Sequence, residues 1–106
     1  MRTSFAVENA VAQLGVNLRT ARIKRRLTQK MVADRAGISL NTLSKLENGD
    51  PGIAVGIVGA VLLALGLDNA LASVASPERD LDGMILEEAA LPQRVRGRQS
   101  RKATGG

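Results

Sequence analysis

The side chains able to do chemistry in this chain are few in kind. Its 106 residues include no Cys and no His, which removes thiolate nucleophiles, imidazole bases and the usual zinc ligands together. Neither a Ser–His–Asp nor a Cys–His set can be assembled. Carboxylates and lysines remain, but no Gly-rich phosphate loop precedes a helix. The expectation is a chain that is not an enzyme and takes no metal or cofactor. What is left is charge. Residues 1–76 carry nine basic and five acidic side chains, residues 77–92 carry one and five, and residues 93–106 carry five and none. A basic body, an acidic joint and a basic tail point to a polyanionic partner and to a second, separate contact. The lack of Cys fits a reducing compartment, so a cytoplasmic location is expected.

The elements that must position these charges read as helices. Phe5 is the only aromatic residue, and β-branched residues never alternate cleanly with polar ones, which argues against strands. From Ala6 to about Arg25, Val7, Val11, Leu14, Leu18 and Ala21 recur every three or four residues, one face of a first helix. Thr28 can cap a second helix over Gln29–Arg35, closed by Gly37. Ser39 can cap a third, to about Glu47, closed by Asn48-Gly49. Asp50-Pro51-Gly52 is turn chemistry. A fourth helix follows over about Ala54–Leu65, stopped by Gly66, and a short fifth over about Asp68–Val74. From Glu78 on there is no convincing period except the short patch Met84-Ile85-Leu86. Residues 93–106 lack any apolar pattern to fold upon and are expected to be disordered.

The run IAVGIVGAVLLALGL, residues 53–67, is uncharged throughout and raises the question of a membrane span. It is 15 residues long and holds three glycines, short of the ~20 residues a bilayer requires. It also lies far from the N-terminus, where a secretory signal would sit. A helix buried on nearly all sides is expected instead, with no membrane partner.

The segment QKMVADRAGISLNTLSKLEN, beginning at Gln29, has small or apolar residues wherever two short helices must cross. Ala33 sits at the crossing, Gly37 in a turn that needs positive φ, and Val32, Ala36, Ile38, Leu43 and Leu46 on the buried side. Each match is weak by itself; together within 20 residues they are specific. With LGVNLRTARIKRRLT before it and NGDPGI and LGL after it, the chain resembles the Cro/C1-type, or Xre, helix-turn-helix family over residues 14–67. The resemblance implies an all-α, five-helix, lambda-repressor-like DNA-binding domain over residues 1–76, with its motif at 28–48. One position departs from the pattern. Many members have Gly where this chain has Arg26, so Arg26 must bear left-handed backbone strain or end the helix differently.

In such folds the second motif helix enters the major groove with its N-terminal residues against base edges. The residues implied here are Ser39, Leu40, Asn41, Thr42, Ser44 and Lys45. Asn41 can pair with adenine, Lys45 can donate to guanine, and Leu40 can meet a thymine methyl. Thr28 and Gln29 open the preceding helix, whose free N–H groups favour a phosphate oxygen, although plain capping explains them too. Arg25 and Arg26 are further candidates for phosphate contacts. Arg22 and Glu47 match positions that form a structural ion pair in the family. One such head covers about half an operator, so a homodimer on double-stranded DNA is expected, with half-sites about 34 Å apart. The fourth helix offers the seam: Ile57, Val61 and Leu65 lie on one stripe and Val58 and Leu62 on the next. One of these stripes should be spare after the core closes, although full burial within one chain would also account for them.

The stretches LENGDPGI, ALGL, SPERDLDGMILEE and LPQRVRGR resemble HipB-type antitoxins, dimeric repressors that also hold a HipA-like serine/threonine kinase toxin inactive. This resemblance implies autoregulation of a toxin–antitoxin operon, with the acidic joint at 77–92 as a possible kinase contact. A stand-alone Xre-type regulator without a toxin remains the other reading, and the basic tail could serve DNA or protein.

Overall fold

The computed structural model describes residues 4–91; the tail expected to be disordered, 93–106, lies outside them. Among the described residues the chain is all helical: α1 (Phe5–Lys24), α2 (Gln29–Ala36), α3 (Leu40–Glu47), α4 (Val55–Ala64), α5 (Asp68–Ala72), a 3-10 turn at Pro77–Arg79 and α6 (Leu81–Ala90). The chain divides into two compact units, one ending at Ala72 and the other beginning at Ser73. No described helix is long and apolar enough to cross a membrane.

The first unit holds α1–α5, and its helix ends are set by side chains as the sequence suggests. Ser4 Oγ accepts the Val7 N–H at 3.2 Å, Thr28 Oγ1 that of Met31 at 3.1 Å, and Ser39 Oγ that of Thr42 at 3.0 Å. Each satisfies one of the orphan donors of a helix start. Gly37 closes α2 with φ 71°, a left-handed conformation that costs glycine nothing. Arg26 does the same after α1 at φ 56°, without glycine's freedom. The chain thus takes the strained option at this position, at a cost of roughly 1–2 kcal/mol.

The core is aliphatic: Leu18 from α1, Val32 and Ala33 from α2, Leu43 and Leu46 from α3, and Val58, Val61, Leu62 and Leu65 from α4 and its end. Leu14, Ala21, Leu27, Ala36, Ile38, Ile53, Leu67 and Leu71 pack around it. α4 lies against α2 and α5, α1 against α3, and α2 against α3. The fourth helix has no side-chain cap. Its stability comes from burial, at roughly 1.5–3 kcal/mol for each fully buried Leu or Val.

That burial takes in the residues expected at the dimer seam. Val58, Val61, Leu62 and Leu65 are between 1% and 8% exposed within one chain, and Ile57 is half-buried. Four of these five residues are therefore part of the chain's own core, where α4 packs on α2 and α5. The apolar residues that α4 leaves outside are Val55 and Leu63, 68% and 64% exposed.

The second unit adds an element. A ten-residue helix, α6, occupies part of the acidic joint, where the sequence assigned no helix. Asp80 starts it by accepting the Gly83 N–H at 2.9 Å. Its apolar residues Leu81, Met84, Ile85 and Leu86 are all exposed. Leu81, Met84 and Ile85 share one face, with Leu86 off it, a patch too short to establish a period in the sequence.

Candidate nucleic-acid interface

The motif is two short helices meeting at the Ala36–Ser39 turn, and its geometry follows from what each end can bond. At the turn, Ile38 N–H donates to Ala33 O at 3.0 Å and Gly37 N–H to Asp34 O at 3.3 Å. Ala33, 2% exposed, has no side chain beyond Cβ, and this lets the two helices approach. On the other side of α3, α1 comes equally close. A Cβ on Gly15 would lie 2.6 Å from the carbonyl oxygens of both Leu46 and Glu47. Only glycine fits that crossing, a requirement of tertiary contact that a periodic pattern cannot signal.

The N-terminal part of α3 faces outward. Leu40 is 50% exposed, and Asn41 and Lys45 are exposed as well, while Thr42 and Ser44 are half-buried. Ser39 is occupied in capping and also donates to Thr42 Oγ1 at 2.8 Å. Leu40, Asn41 and Lys45 are therefore the members of the expected set most open to a base edge, and among the described residues no hydrogen bond ties the Asn41 or Lys45 side chain.

The C-terminal end of α3 is the opposite. Glu47 is 6% exposed, and its carboxylate is the centre of a network. Arg22 donates from Nε to Oε2 at 2.8 Å and from Nη2 to Oε1 at 3.0 Å. The third guanidinium nitrogen, Nη1, reaches Leu27 O at 3.0 Å. Gln29 donates from Nε2 to Glu47 Oε1, also at 3.0 Å. Arg22 and Glu47, the pair implied by the family resemblance, thus form a two-pronged bond whose side chains are 11% and 3% exposed. Such geometry is what a buried charge pair requires to offset its desolvation. The tie from Gln29 was not legible in the sequence, where Gln29 reads as the first residue of a helix and a phosphate contact.

Arg25 and Arg26 part company. Arg25 donates from Nε to Leu65 O at 2.9 Å and from Nη1 to Ala21 O at 3.0 Å. Its guanidinium therefore caps the Leu65 carbonyl at the end of α4, and the expected phosphate contact would have to compete with that bond. Arg26 is exposed, at the left-handed position just after α1. Above the Arg22–Glu47–Gln29 network opens a polar recess of about 540 Å³, lined by Arg19, Leu27, Thr28 and Asn48 besides the three network residues. Arg19, which the sequence reading passed over, is exposed beside it.

A family model described as a helix-turn-helix domain matches residues 13–74, more than half of the chain. No curated protein and no solved structure gives a significant match. The matched span holds both motif helices, the buried ion pair and the outward end of α3, and the chain belongs to this family of helix-turn-helix domains.

Proposed function

We propose that this chain is a sequence-specific transcriptional repressor that reads operator DNA as a homodimer, with α3 in the major groove of each half-site. The observation that carries this reading is the asymmetry of α3, whose far end is locked by Glu47 while Leu40, Asn41 and Lys45 stand exposed. A helix held at one end and free at the other suits a rigid probe of base edges. Thr28 opens α2, whose free backbone N–H groups are offered to a phosphate, and Arg26 adds a cation at the rim. The outward face of α4, with Val55 and Leu63, is the surface through which two copies meet, since residues 53–67 carry no charge to repel a second copy. Selecting duplexes from a random pool with the full chain tests the reading. A recovered two-fold site, protected in footprints at half-sites one helical turn apart, is the expected result; recovery of no preferred sequence would defeat it.

The finer reading is an antitoxin that represses its own operon and neutralises a HipA-like kinase. Its support is the similarity of residues 46–53, 64–67 and 76–98 to HipB-type chains, together with α6. That helix presents Leu81, Met84, Ile85 and Leu86 beside Asp82, Glu87 and Glu88, apolar and acidic groups that serve a protein better than a phosphate backbone. Co-expression with the product of the adjacent gene tests it. A kinase-like protein that co-elutes and loses activity in the complex is expected; a neighbour that does neither leaves a stand-alone regulator.

A further inference from the structure

We propose that Gln29 is a positioning residue for base readout: through its hydrogen bond to Glu47 its side chain sets the angle between α2 and α3, and it is not itself a phosphate contact. The inference rests on α3 being the reading helix. Helices α2 and α3 are hinged at the Ala36–Ser39 turn, so Gln29 and Glu47 stand at the two ends remote from the hinge. A bond between those ends closes the triangle, and the 3.0 Å contact from Gln29 Nε2 to Glu47 Oε1 is that bond. Glu47 cannot swing to another partner. Its side chain is 3% exposed and its two oxygens already hold Nε and Nη2 of Arg22, at 2.8 and 3.0 Å. Arg22 in turn is fastened to Leu27 O, in the link between α1 and α2. The first residue of α2 is thus tied to a carboxylate that α1 holds still.

The lever is short but sufficient. Asn41 lies six residues before Glu47, about 9 Å along the helix at 1.5 Å per residue. Because Arg22 of α1 holds the Glu47 end, a loosened α2 carries the turn end of α3 with it. A tilt of ~10° about Glu47 would displace Asn41 by about 1.6 Å. Hydrogen bonds to base edges tolerate a few tenths of an ångström, whereas a phosphate met by flexible cations tolerates more. Freeing the brace should therefore damage discrimination before it damages attraction. Water can enter the recess beside Gln29 and solvate Glu47 Oε1 in its place, so a variant without the amide keeps the Arg22–Glu47 pair and the fold.

The test compares Gln29→Met, which keeps length and helix preference but loses the donor, with the wild-type chain. Each is titrated with a duplex selected by the wild type and with a scrambled duplex of equal length, over a range of salt. The expected result is a fall in affinity of about tenfold or more for the selected duplex, the scale of one lost base contact. The scrambled duplex should be bound within about twofold of wild type, with an unchanged salt slope. Equal losses on both duplexes would make Gln29 a phosphate contact and overturn the proposal, and so would no loss on either. Gln29→Glu, which sets a second carboxylate against Glu47, is expected to lose discrimination further; full discrimination in that variant also overturns the proposal. A wild-type chain that prefers no duplex defeats the reading of α3, and the brace with it, before any variant is made.

Discussion

Helices α3 and α6 are close in length, eight and ten residues, and start alike, with Ser39 and Asp80 each accepting a backbone N–H three residues on. Beyond that start they differ. α3 buries Leu43, Leu46 and Glu47 and ties its last residue into a charged network; α6 buries nothing. Local capping is thus enough to begin a helix but not to aim one. The direction of a helix comes from what its sides and far end touch, and for α3 those contacts arrive from α1 and α2.

The widest gap between the two helices should appear when the α3 network is broken. Arg22→Ala leaves the Glu47 carboxylate, 3% exposed, without its charge partner, and the expected loss is up to about 3–5 kcal/mol, read by denaturant unfolding. An unchanged midpoint would mean that the pair contributes nothing. Next comes the α1 crossing. Gly15→Ala pushes a methyl into the Leu46 and Glu47 carbonyls, and about 1–3 kcal/mol of destabilisation is expected by the same measurement.

At the exposed end of α3 the effect should move from stability to binding. Asn41→Ala and Lys45→Ala are each expected to weaken operator binding by about 1–3 kcal/mol while melting as the wild type does. A footprint on the selected duplex identical to wild type for both would remove α3 as the reading helix. Arg26→Gly should act with opposite sign on the two properties. Relief of the φ 56° strain is expected to stabilise by about 1 kcal/mol. Nonspecific DNA affinity should fall slightly as one rim cation is lost. Smallest of all, Leu86→Ser on α6 should leave the melting of the first unit unchanged, since Leu86 is 69% exposed and surface changes stay within about 0.5 kcal/mol. A large loss there would erase the contrast between the two helices.

How much of this was legible in the sequence depends on the range of the interaction. Thr28, Ser39 and Gly37 announce the ends of α2 and α3 because a cap or a left-handed turn is settled within three or four residues. Arg26 could be marked as the place of strain by its residue type against the family pattern. α6 escaped, since among the described residues it buries no side chain and its short apolar patch is too brief to set a period.

Sequence alone determined an aliphatic, all-helical chain without His or Cys chemistry, with a motif at 28–48 and its charge segregated into blocks. The tertiary structure decided which sides of α4 are inside, what Arg25 holds and what Gln29 braces. The bonds from Gln29 to Glu47 and from Arg25 to Leu65 span 18 and 40 residues of chain. α4 is so uniformly apolar that no periodicity distinguishes its faces. Side chains of one chemical type can be sorted into inside and outside only by the neighbours that reach them, and those neighbours are chosen by the packing of the whole unit.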